Sequence, residues 1–193
     1  MFSLFIQHKC NRFYSDVIMT DQPLPYTDPP ETFMRRAIEL AKEAAALGEV
    51  PVAAVIVKDN QIIAEAYNRR ELDKDPIAHA EILAIKEAAK YFGDWRLEGC
   101  ALFVTLEPCP MCSGAMWLSR IEHCVFGASD PRSGFLGSVH DFTSHTQMNH
   151  HYTVERGVLE EECVALLQNF FREIRARKKA AKKAATLSDK HDG

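Results

Sequence analysis

Two short runs of this chain have residue types and spacing that can do chemistry: Ala78-His79-Ala80-Glu81 and Glu107-Pro108-Cys109-Pro110-Met111-Cys112. Cys109 and Cys112 are three residues apart, so at the start of a helix both sulfurs point to one locus. The positive end of the helix dipole stabilises thiolates there. Pro108 and Pro110 restrict the turn, and a proline at the first helical position lacks an N–H that would have had no partner. His79 opens a second helical segment and supplies an imidazole nitrogen. One nitrogen and two sulfurs suit zinc, and three protein ligands leave the fourth position to water, as in a catalytic rather than a structural site. Glu81 can hang over that position, take a proton from the water and return it to a substrate atom. Two other readings stand beside this one. A closed structural zinc site needs a fourth ligand, and Cys100, Cys124 and His123 read instead as parts of apolar strands. A thioredoxin-like redox pair requires neither His79 nor Glu81. His140, His145, His150 and His151 are irregularly spaced in a loop, which argues against a second metal site.

These groups need a folded body to hold them. The chain has 193 residues, 47% hydrophobic and 26% charged, with a net charge of −4. That composition excludes wholesale disorder and fibrous repeats and fits one domain with tails. No apolar run approaches the ~18 residues of a membrane span. Six cysteines in this length do not make a disulfide scaffold.

Along the body, Asp28-Pro29-Pro30-Glu31 reads as a helix start with Asp28 as N-cap, and the helix runs to about Leu47. Val52–Val57 reads as a buried strand, 58–60 as a turn and Gln61–Tyr67 as the returning strand of a hairpin. Residues 68–78 read as a polar loop and His79–Tyr91 as a helix. Cys100–Leu106 is a strand, Cys109–Ser119 a helix and His123–Ala128 a strand. Residues 129–151 are loop-rich, Tyr152–Glu155 is a short strand, and a long helix runs from Leu159 to about Lys183. Strands alternating with helices argue for an α/β layered domain with a partly parallel sheet.

The ends differ from the body. Residues 1–28 read as a flexible N-terminal extension with Met19 as the natural start, 29–183 as the domain, and 184–193 as a disordered tail. Residues 172–193 carry eight Lys/Arg against three Asp/Glu, a net of +5 on a chain of −4 overall. Such a segment is either a solvated helix end or a contact for a polyanion.

His79-Ala80-Glu81 with Pro108-Cys109-Pro110-Met111-Cys112 resembles the zinc-dependent nucleoside and nucleobase deaminases. The flanking residues resemble those of the bacterial tRNA-specific adenosine deaminases. They are Glu49-Val50-Pro51-Val52, Tyr67-Asn68-Arg69, Thr105-Leu106-Glu107, Phe126-Gly127-Ala128 with Asp130, Gly137-Ser138, Met148-Asn149-His150 and Phe170-Phe171-Arg172. The resemblance covers residues 31–180. It implies a three-layer α/β/α cytidine-deaminase-like domain with a central mixed five-stranded sheet. It implies hydrolytic deamination of adenosine to inosine at the wobble position of a tRNA anticodon stem-loop, by zinc-activated water with Glu81 as proton shuttle. His79, Cys109 and Cys112 would hold one zinc per chain. Asn68 would hydrogen-bond the target nucleoside, Val52 would wall the base pocket, and Asp130 would contact RNA beside the flipped base. Asn149 and His150 would lie in a loop near the site. A cytoplasmic homodimer is implied as well. RNA as substrate would give the basic tail a role, with Arg175, Arg177, Lys178 and Lys179 on backbone phosphates.

Simpler readings remain for some of these: Asn68 as a loop residue bonding its own backbone, Val52 as core, and Asp130-Pro131 as a turn. Ala53 stands where relatives often have Gly, Ser129 offers no charge beside Asp130, and Phe135-Leu136 is a bulky pair. The competing functions are a small-molecule deaminase of guanine or cytosine type with the same zinc chemistry, and a non-catalytic zinc-stabilised RNA-binding module.

Overall fold

The protein is described from a computed structural model covering residues 23–188, with side chains to Lys182. The proposed start at Met19 and residues 189–193 lie outside the described residues. Helix α1 spans Pro30–Ala46, strand β1 Ala53–Lys58 and β2 Gln61–Tyr67. A one-turn helix α2 covers Arg70–Asp73, followed by α3 at Ala80–Phe92 and β3 at Ala101–Leu106. Helix α4 spans Pro110–Leu118 and β4 His123–Ala128. After a loop with one 3₁₀ turn come β5 at Thr153–Arg156 and α5 at Glu160–Ser188.

The five strands form one mixed sheet in the order β2-β1-β3-β4-β5. β1 is antiparallel to both β2 and β3, whereas β3–β4 and β4–β5 are parallel. β2, β3, β4 and β5 therefore all run one way, and their C-terminal ends share one end of the sheet. Side chains alternate between two cores, as the pleat requires. Ala53, Val55, Val57, Phe103 and Val125 pack against α1 and the start of α5. Ala54, Ile56, Leu102, Val104, Cys124 and Phe126 pack against α3 and α4. The result is the three-layer α/β/α arrangement with a central mixed five-stranded sheet. No helix of the described residues is long and apolar enough to cross a membrane.

Several element ends shift by one residue from the sequence reading, and three differences bear on the fold. Pro29 rather than Asp28 is the N-cap of α1, which places Pro30 at the first helical position. The loop at 68–78 contains α2, a turn too short to show helical periodicity. Helix α5 continues to Ser188, past the expected boundary at 183, in an alanine-rich stretch of high helix propensity.

Residues 23–28, assigned to the extension, are built into the domain. The hairpin turn at Asp59-Asn60 has positive φ at both residues, as a two-residue turn between twisted strands requires. Asn60 Oδ1 accepts the backbone N–H of Thr27 at 2.7 Å and of Asp28 at 3.0 Å. Tyr26 is buried edge-on against Phe33 and Phe103, and its hydroxyl donates to Glu155.

Beside Tyr26 lies His123, buried, with Nδ1 against the Thr153 hydroxyl and Nε2 without a hydrogen-bond partner. Its nearest acid, Glu155, is 3.8 Å from Nε2 and already accepts from Tyr26. Burial lowers the His123 pKa to about 4. In the unfolded chain an ordinary histidine titrates near ~6.5. The unfolded state therefore takes up this proton first as pH falls. The contribution of neutral His123 is fully present above pH ~6.5, declines as pH falls towards 4, and is gone below it. Urea denaturation between pH 8 and 4 is expected to show a shallower acid limb for His123→Gln than for wild type; superimposable limbs would refute this.

Candidate active site and metal centre

The two chemical motifs meet at the C-terminal end of the sheet. β2 delivers the chain through Asn68 and α2 to His79, the N-cap of α3. β3 delivers it through Glu107 and Pro108 to Cys109, the N-cap of α4, with Pro110 at the first helical position. His79 Nδ1 lies 3.7 Å from Cys109 Sγ and 3.6 Å from Cys112 Sγ, and the sulfurs are 3.6 Å apart. A tetrahedral zinc with bonds of about 2.3 Å to sulfur and about 2.05 Å to nitrogen needs S···S and S···N edges of about 3.8 and 3.6 Å. The triangle fits that ion, and among the described residues it offers three ligand atoms rather than four. The hydrogen bond between the two sulfurs holds Cys109 down at about 4 and pushes Cys112 up. The contact with Cys109 raises the His79 pKa.

Glu81 is in the first turn of α3 and only 4% exposed. Burial raises its pKa, opposed by its own backbone N–H and by His79, and its carboxyl is within hydrogen-bonding range of the Cys112 thiol. Asn68 is 6% exposed. Its Nδ2 donates to Glu49 Oε2 at 2.8 Å, and its backbone N–H donates to the Val52 carbonyl at 2.8 Å. Val52 is half-buried against the α3–α4 core. The methyl of Ala53 lies on the opposite sheet face, in the α1 core, so it does not crowd the zinc-side helices. Cys100 and Cys124 are core residues, as read from the sequence.

The remaining candidates separate. Asp130 accepts the backbone N–H groups of Arg132 and Ser133 and the Ser133 hydroxyl, so its carboxylate caps its own loop. Asn149 and His150 are not brought to the triad within this chain, contrary to expectation. His150 Nε2 donates to the Ile121 carbonyl at 2.6 Å, just before β4 begins, and the segment leads into the start of β5. That is the end of the sheet opposite the triad, because β5 is parallel to β4 and the loop must return to the strands' beginning. Arg175, Arg177, Lys178 and Lys179 are exposed on α5, where every described side chain from 175 onward is solvated. Arg177 forms an exposed i,i+4 pair with Glu173 at 3.8 Å.

The family model for the cytidine and deoxycytidylate deaminase zinc-binding region matches residues 27–128, just over half of the chain. A tRNA-specific adenosine deaminase of Bacillus subtilis is 54% identical over 153 residues, 79% of this chain and 95% of that protein. The chain belongs to the zinc-dependent cytidine and deoxycytidylate deaminase family, among its tRNA-specific adenosine deaminases. The solved structure of a tRNA:A34 deaminase superposes on this deaminase with a TM-score of 0.67 at 40% identity, covering 70% of this chain and 99% of that one. A guanine deaminase from Nitrosomonas europaea gives a TM-score of 0.67 at 25% identity, covering 78% and 88%.

Two buried acids of this deaminase had no role in the sequence reading. Glu49 is paired with Asn68, and Glu107 organises the loop after β4. Glu107 Oε1 accepts the N–H groups of Leu136 at 2.9 Å and Ser138 at 3.0 Å, and Oε2 accepts that of Asp130 at 3.0 Å together with the Ser138 hydroxyl. The signal was present: each is an acid within two residues of a proline, bordering a run that is otherwise apolar. Gly134 lies directly on the Glu107 carboxylate, and an added methyl would overlap it. Gly134→Ala is expected to destabilise the fold by about 1–3 kcal/mol through overpacking. An unchanged denaturation midpoint would show that the loop is not clamped in this way.

Proposed function

We propose that the protein converts adenosine to inosine at the wobble position of a tRNA anticodon by hydrolytic deamination. The observation that carries this reading is the three-ligand triangle with a buried carboxylate beside it, in a chain 54% identical to a tRNA-specific adenosine deaminase. His79, Cys109 and Cys112 would hold zinc, which when bound would supply the Lewis acidity that makes a water nucleophilic near neutral pH. Glu81 takes a proton from that water and passes it to the adenine ring. Its burial suits this, since a desolvated carboxylate binds a proton more firmly than an exposed one. Once oxygen is bonded to C6, Glu81 takes the remaining proton of that oxygen and delivers it to the amine, which leaves as ammonia as the C6–N bond breaks. Asn68 hydrogen-bonds the target nucleoside and Val52 forms a wall of its pocket.

Anticodon-loop bases are single-stranded and can be extruded into such a site. Arg175, Arg177, Lys178 and Lys179 offer solvated positive charge to the RNA backbone, on a chain whose other residues are net acidic. The protein acts in the cytoplasm, where its substrate is, as a homodimer. Support for the dimer comes from exposed apolar residues on or just after α3 and α4, among them Tyr91, Trp95 and Leu118.

Single-turnover deamination of an anticodon stem-loop with adenosine at the wobble position tests the chemistry. Glu81→Gln is expected to lose about 10²- to 10⁴-fold in rate with its zinc content unchanged. Equal rates would remove Glu81 from the mechanism. Turnover of free guanine or cytidine, with none of the RNA, would transfer the protein to the small-molecule branch. The quadruple Ala variant at 175, 177, 178 and 179 is expected to bind the stem-loop more weakly and with a shallower salt dependence; an unchanged salt slope would exclude those residues from the RNA.

A further inference from the structure

We propose that Glu49 is a positioning residue that sets which hydrogen-bonding face Asn68 turns to the substrate; this rests on the reading of Asn68 as a substrate ligand. Glu49 lies in the loop between α1 and β1, fully shielded from solvent. Both of its oxygens are engaged: Oε2 accepts Asn68 Nδ2–H at 2.8 Å, and Oε1 accepts the Leu72 backbone N–H of α2 at 2.6 Å. No ion pair to Glu49 is formed among the described residues. A carboxylate without a cation in such a place is costly, and an apolar residue would fill the volume more cheaply.

What the carboxylate does is orient. It can only accept, so the amide nitrogen of Asn68 must face it. The carbonyl oxygen and the second amide hydrogen are then left for a ligand. The backbone of Asn68 is fixed as well, through Val52. A nucleoside reaching Asn68 thus meets an amide of one orientation, and the same acid ties α2 to it.

Glutamine at position 49 has nearly the same shape but can also donate. It would let the Asn68 amide turn over and present the opposite pattern. With the stem-loop RNA, Glu49→Gln is expected to lose about 10- to 100-fold in kcat/KM at wild-type zinc content and melting temperature. In an Asn68→Ala background the same substitution should change kcat/KM by less than about twofold, because its effect runs through Asn68. Full activity of Glu49→Gln, or losses that multiply in the double variant, would overturn the proposal.

The second measurement needs no activity. In ¹⁵N–¹H spectra of wild type, the Asn68 side-chain amide pair, assigned by its absence in Asn68→Ala, should exchange slowly with solvent. Exchange at the rate of a free amide would overturn the proposal even if Glu49→Gln fails to fold. If wild type ignores the RNA but turns over a free base, the functional reading fails, and the same double-variant cycle on that base still decides the role of Glu49.

Discussion

Three ligand atoms from two helix starts must come within 3.7 Å of one another, and the strand directions make that possible. His79 is reached from β2 and Cys109 from β3. Those strands are not neighbours: β1 lies between them and is antiparallel to both. Two reversals of direction leave β2 and β3 pointing the same way, so both chains emerge at the same end of the sheet. One further reversal would put His79 at the far end of the sheet from the two sulfurs. Helix dipoles then add to the arrangement, because both helices present their positive ends at the place where thiolates gather.

Around this end the protein buries three carboxylates and treats each differently. Glu107 is met by three backbone N–H groups and a hydroxyl and serves as the clasp of a loop. Glu49 is met by one backbone N–H and one side-chain amide and links two segments to each other. Glu81 is met by its own backbone N–H, the metal ligands and little else, so the cost of its burial is least compensated. A carboxylate saturated with donors is a structural acceptor; one left short of donors retains its appetite for a proton. The residue types are identical, and the donors around them assign the work.

That distinction marks what was legible in the sequence. The triangle that could hold a metal was readable because each motif is local: His79 and Glu81 are two apart, Cys109 and Cys112 three apart, and both sit at recognisable helix starts. The hairpin, the four longer helices and the alternation of strands with helices followed from periodicity and turn residues. The partners of Glu107 are 23 to 31 residues away, and Asn68 is 19 residues from Glu49, separations at which no pattern speaks. Asn149 and His150 were expected near the site from the resemblance alone, and within this chain the parallel β4–β5 connection carries them to the other end of the sheet. Tyr26 sat in a proline-rich stretch that reads as a linker, and only the tertiary structure shows that an aromatic pocket receives it.

The seating of Tyr26 also bears on how the chain is made. Its hydroxyl partner is 129 residues downstream, and Arg35 of α1 pairs with an acid 127 residues downstream. Contacts of such span close late, after the entropy of a long loop has been overcome. On the ribosome the first helix can cover part of its apolar stripe on β1 as soon as the hairpin forms, and the remainder waits for β3, β4 and the head of α5 to leave the exit tunnel. The hairpin can form at once, and through Asn60 it can hold the lead-in segment near its final place. During synthesis that turn acts as a bookmark, keeping residues 25–28 in position for the later strands to join.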